Sequence, residues 1–163
     1  MKNLRTEIKW ALIFSVLNLL WVLLERTAGL HGSRLHLHPQ LTILFIFPTI
    51  AVYILALREK KNESFRGQMN YIDGMICGAN LTLFITLLSP FVQIISTKLI
   101  SPEFFKNSID YSVAKGIMTR EHAETYFSLN SYIRQSLLAT PVIGLITSAL
   151  VAYFLRTKPA SQI

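Results

Sequence analysis

Four long stretches without a charged residue constrain this chain more than any other feature: residues 10–24, 41–57, 74–97 and 135–155. Charge closes each of them. Lys9 and Glu25 bound the first, Arg58-Glu59-Lys60-Lys61 ends the second, Asp73 and Lys98 frame the third, and Arg134 and Arg156 the fourth. A helix needs roughly 17–25 mainly apolar residues to cross the hydrocarbon of a bilayer. The third and fourth stretches meet that length and the second sits at its lower bound. The first is short in its uncharged part, but Lys9 and Arg26 can snorkel and extend it. A signal-peptide core is the other reading of this first stretch. Glu25-Arg26 stands where a small-residue cleavage site would be expected, so it is read as a retained helix.

The expected fold is therefore all-α: a single membrane domain over residues 1–163, a four-helix bundle with spans at about 8–26, 41–58, 73–97 and 135–156. Composition agrees, with 52% hydrophobic and 15% charged residues. A soluble surface usually carries about 25% charge. The net charge of +7 sits beside the apolar runs, where membrane orientation needs it, and argues against a nucleic-acid partner. The single cysteine, Cys77, lies inside an apolar run and reads as packing.

Between the third and fourth spans, residues 101–134 form an outer segment with its own pattern. Ser101-Pro102-Glu103 has the composition of a helix start. Phe105, Ile109, Ser112/Val113 and Gly116/Ile117 recur at helical spacing, and Gly116 can end that helix. Thr119 with Glu121 opens a second, with Ala123, Tyr126, Phe127 and Ile133 as its apolar stripe. Two amphipathic helices are expected, lying on the outer face or capping the bundle. Trp10, Tyr53, Tyr71, Tyr132 and Tyr153 fall near span ends, where amphipathic rings favour the interface. Lys2, Arg5, Lys9, Arg58, Lys60, Lys61, Arg66, Arg156 and Lys158 would lie inside if the N-terminus does. On the short-loop rule this puts both termini in the cytoplasm.

Two ladders of small residues stand out. Gly74, Gly78, Thr82 and Thr86 recur every four positions in the third span, and Thr140, Gly144, Ser148 and Ala152 in the fourth. Helices in lipid associate through such close-approach faces, so these two are expected to meet each other or a second copy. A permeation path along them is the competing reading. Asn18 and Asn80 are costly mid-span amides that can bond across the bundle or to a ligand. Pro48, Pro90 and Pro141 can kink their helices. Glu25 is a boundary acid that could relay protons or bind an amine, or pair with Arg26, Arg34 or Arg134. His31, His36 and His38 cluster in the first outer loop. His36-x-His38 could offer two metal ligands, since imidazole suits zinc or copper, although a solvated loop is the simpler reading. His122 could join them only if the outer segments fold together. No phosphate loop, nucleotide fingerprint, serine elbow or zinc-protease helix is present, and no cofactor is expected.

Several strings, in order, resemble a family of bacterial membrane proteins, domain of unknown function 4199. They are Gly29-Leu30-His31, Ala56-Leu57-Arg58-Glu59-Lys60-Lys61, Gly74 with Gly78, and Pro102-Glu103-Phe104-Phe105. Met118-Thr119 with Glu121 and Ala123, Tyr126-Phe127 and Ser131-Tyr132 complete the set. Together they reach from about Lys9 to Arg156. The resemblance implies a four-helix inner-membrane protein and no assigned activity, so no catalytic residue is carried over. Three functions are weighed: a non-enzymatic module that binds a membrane partner, its own copy or membrane lipid; a small transporter or channel subunit working as an oligomer, with Asn18, Asn80, Thr82, Thr86 and Glu25 on its path; and a membrane enzyme using Glu25 and the outer histidines.

Overall fold

The structure, a computed structural model, describes residues 3–157. Lys2 and Lys158, both counted toward orientation, lie outside the described residues. Among those described there is no strand, and four helical segments are long and apolar enough to cross a membrane: Arg5–Thr27, Leu35–Phe65, Tyr71–Ile100 and Leu129–Leu155. They comprise α1 (Arg5–Thr27), α2 (His38–Leu41), α3 (Ile46–Phe65), α4 (Tyr71–Ile95) and α7 (Leu129–Leu155), with α5 (Phe104–Ala114) and α6 (Arg120–Tyr126) in the long connection. Short 3₁₀ turns at Leu35–Leu37 and Thr42–Phe45 flank α2, and a π turn, Ser96–Ile100, ends α4.

The bundle is an inside-out globular protein. Its outward face carries large apolar side chains, with Leu138 73% and Phe154 78% exposed, while Ala11, Ala56, Ala152 and Ser148 fill its centre. In water that arrangement would expose far more apolar surface than a soluble domain tolerates. Around the ring, α1 packs on α4, α4 on α7, α7 on α3 and α3 on α1, and the α4–α7 seam is the most extensive. The small-residue ladders form that seam in antiparallel register. A Cβ on Gly74 would meet the Cβ of Ala152 at 2.9 Å, and one on Gly78 the Cβ of Ser148 at 2.5 Å. One on Gly144 would meet the Cγ2 of Thr82 at 2.4 Å.

Polar groups on the seam are neutralised locally. Thr82 Oγ1 donates to the Gly78 carbonyl and Ser148 Oγ to that of Gly144. With its own proton so used, Thr82 Oγ1 accepts from the Tyr53 hydroxyl at 2.9 Å. Tyr53 is thus a core residue, 1% exposed, and not an interfacial anchor, because the approach of Gly144 makes a slot for its ring. Pro90 and Pro141 sit inside α4 and α7. Pro90 cannot bond the Thr86 carbonyl, and Ser89 Oγ donates to that oxygen instead, at 2.9 Å, as spanning helices with proline require. Pro48 falls in the first turn of α3, where proline is tolerated.

The helices outrun their apolar stretches because the flanking charges pair. At the end holding the start of α1, Lys60 Nζ donates to Glu7 Oε2 at 2.9 Å, with both residues buried. Lys9 pairs with Glu59, and Trp10 Nε1 donates to the same carboxylate at 3.1 Å. Helix α7 begins at Leu129, ahead of the uncharged stretch, because Ser128 Oγ accepts from the Ser131 amide and caps it. Ile133, assigned by pattern to the outer segment, therefore belongs to α7. In α5 the buried positions are Phe104, Ser108 and Ser112: Ser112 lies on the expected face, while Phe104 and Ser108 replace Phe105 and Ile109, because the Phe104 ring anchors the helix over the bundle.

Candidate functional site

The opposite end of the bundle carries a buried acid. Glu25, in the last turn of α1, is 3% exposed. Trp21, one turn earlier on the same face, donates its indole N–H to Glu25 Oε1 at 2.8 Å. The other carboxylate oxygen faces two histidines: His31 Nε2 lies 3.4 Å and His38 Nε2 3.8 Å from Glu25 Oε2. The chain reaches this geometry by folding back after α1, with Gly29 at φ +81° allowing the turn.

Each histidine is held from outside. His31 Nδ1 lies 2.8 Å from Ser101 Oγ, and Asn107 Nδ2 donates to the His31 carbonyl at 2.8 Å. The Phe104 ring covers both imidazoles, its centroid 4.7 Å from that of His31 and 5.1 Å from that of His38. Tyr132 closes the aromatic roof against Phe105, at 5.0 Å. Sequence reasoning singled out Glu25 and the histidines but missed Trp21, Ser101, Asn107 and Phe104. The spacing of Trp21 and Glu25, four apart on one helix, was the available signal; the others are brought in by tertiary folding alone.

Beneath the roof is a cavity of about 230 Å³ bordered by Glu25, His31, His38, Asn18, Gln93 and Ser96. Among the described residues, the two buried side-chain atoms without a hydrogen-bond partner, His31 Nε2 and Ser96 Oγ, both belong to residues of its wall. Buried polar atoms in native proteins are nearly always satisfied, and exceptions call for an explanation such as an ordered water, an ion or a chemical role. A second cavity of about 250 Å³ lies between Phe14, Tyr53, Ile85, Ile143 and Thr140. Asn18, Phe45 and Gln93 border both.

The remaining singled-out residues lie elsewhere. His36 is exposed on the 3₁₀ turn and does not join the group formed by Glu25, His31 and His38. Arg26 donates to the Ile100 carbonyl, while Arg34 and Arg134 are exposed; none of the three pairs with Glu25. Asn80 is half-buried on α4 and borders neither cavity. His122 is exposed on α6, apart from the other histidines.

Compared with known proteins, residues 9–157 match the family model described as "Protein of unknown function (DUF4199)". No curated protein and no solved structure matches the chain.

Proposed function

The chain belongs to the DUF4199 family, and from that footing we propose that it is an integral membrane module that holds one amphiphilic lipid molecule between its helices. The observation that carries this reading is the pair of adjacent cavities sharing Asn18, Phe45 and Gln93 in their walls, polar beside Glu25 and His31 and mainly apolar between Phe14, Ile85 and Ile143. Taken together they fall within the roughly 300–1,000 Å³ of small-molecule sites. A polar head beside Ser96 and Gln93 and a tail between α1, α3 and α7 would match that gradient. Entry from the bilayer suits a bundle whose spanning helices turn large apolar side chains outward.

Of the three partners weighed for a non-enzymatic module, lipid is favoured over a second copy. The small-residue ladders that could pair two chains are spent within one, α4 on α7. The reading places the protein in a bacterial inner membrane with both termini cytoplasmic. Arg5, Lys9, Arg58, Lys61, Arg66 and Arg156 gather at the end opposite Glu25, while most of the cations at the Glu25 end (Lys98, Lys106, Lys115, Arg120 and Arg134) lie in or beside the long connection, which weighs less; this supports that orientation. Native mass spectrometry of the protein in mild detergent should show one lipid per chain. Thr140→Phe, which fills the apolar cavity, should reduce that occupancy about tenfold, whereas Leu138→Phe on the outward face should not. Equal lipid retention in both variants would refute the reading.

A further inference from the structure

We propose that Glu25, His31 and His38 bind a single divalent transition-metal ion of the zinc type. The site is independent of what fills the apolar cavity. One ligand atom from each of the three residues lies within 4.8 Å of the other two. A tetrahedral zinc with bonds of about 2.0–2.1 Å sets neighbouring ligand atoms about 3.4 Å apart. The carboxylate-to-imidazole separations of 3.4 and 3.8 Å need little contraction to meet that.

Three further observations point the same way. First, a buried carboxylate is costly without a compensating cation. Among the described residues, the side chains with cationic capacity within 4.0 Å of Glu25 are His31 and His38 themselves. Second, Ser101 Oγ engages His31 Nδ1, so the buried Nε2 is the nitrogen turned toward Glu25, 3.4 Å from its Oε2. In the tautomer whose Nδ1–H donates to Ser101 Oγ, the Nε2 lone pair faces Glu25 and the imidazole has the outer-shell support of a metal ligand. Third, Phe104 packs on both rings, fixing their planes and restricting water.

The donor set selects the ion. Two imidazoles and one carboxylate suit zinc and its transition-metal neighbours, whereas calcium and magnesium favour oxygen ligands. Three protein ligands leave one tetrahedral position, which the polar cavity beside Ser96 and Gln93 would supply to a water or an anionic group.

The test uses the full chain in detergent, stripped with a chelator and dialysed against zinc alone. About one zinc per chain is expected, undisplaced by excess magnesium. Glu25→Gln, His31→Ala and His38→Ala should each weaken binding at least about tenfold, Ser101→Ala by roughly 10–100-fold, and His36→Ala should leave it unchanged. Cobalt substitution in the unaltered protein gives a readout that needs no variant to fold. The strong visible absorption of tetrahedral cobalt supports the site, and the weak spectrum of an octahedral ion overturns it. Absence of stoichiometric zinc would show that Glu25 and the histidines form only a proton-bridged cluster. Zinc binding that survives His31→Ala and His38→Ala together would also overturn the proposal.

Discussion

Lys60 occupies a position where charge is least at ease, 1% exposed between α1 and α3. Its ammonium is held by Glu7 at 2.9 Å and by the Asn3 carbonyl. Removing one partner of such a pair strands the other, at a cost of about 3–5 kcal/mol, whereas replacing both with apolar groups is often neutral. Lys60→Met should therefore lower stability by that amount in a denaturation series followed by circular dichroism. The double variant Lys60→Met with Glu7→Leu should recover most of it; failure to recover would mean that Lys60 acts through other contacts. Nothing in the run Arg58-Glu59-Lys60-Lys61 marks the third residue as buried, because helical phase against a partner decides that. The candidate site was half legible for the same reason. Glu25, His31 and His38 stood out as residue types, but which histidines converge depends on the chain reversal after α1, and the conspicuous His36-x-His38 spacing was misleading because a 3₁₀ turn directs its first member outward.

At the scale of elements, the α4–α7 seam sets the closeness of the bundle. A Cβ on Gly78 would come within 3.2 Å of the Cα of Ser148, so backbone as well as side chain must move. Overpacking of this kind costs typically about 1–3 kcal/mol. Gly78→Ala should lose that much, and Gly78→Leu should fail to assemble. Adding Ser148→Gly to Gly78→Ala reopens the space and should restore much of the loss, a coupling that a double-mutant cycle measures directly. Leu83→Ala, on the outward face of α4, should change stability by no more than about 0.5 kcal/mol. Purely additive effects at Gly78 and Ser148 would show that they do not share one contact. This seam was the most legible part of the fold, since a repeat of four small residues per helix fixes a face regardless of tertiary detail. Helix ends were less so. Charged residues at the start of α1 and the end of α3 read as boundaries, yet both helices run through them by pairing Thr6, Glu7 and Lys9 with Glu63, Lys60 and Glu59.

Over the whole molecule the two ends differ in kind. One is a cluster of paired charges tying α1, α3 and the end of α7, where Lys61 donates to the Leu155 carbonyl at 2.8 Å. The other is roofed by α5 and aromatic rings above Glu25. If the bundle crosses a bilayer, these ends face different compartments, and the orientation proposed above puts the end holding Lys60 in the cytoplasm. The lone cysteine, Cys77, is 2% exposed, so the unaltered chain should be silent to a membrane-impermeant thiol reagent. Single cysteines at two exposed positions then report each side: Ala114→Cys at the end of α5 and Asn62→Cys near the end of α3. In intact cells Ala114→Cys should label at once and Asn62→Cys only after permeabilisation. The reverse pattern would invert the topology and turn the Glu25 cavity toward the cytoplasm. Labelling of both positions in sealed cells would mean that the two ends share a compartment, which no bundle crossing the membrane with α1, α3, α4 and α7 permits.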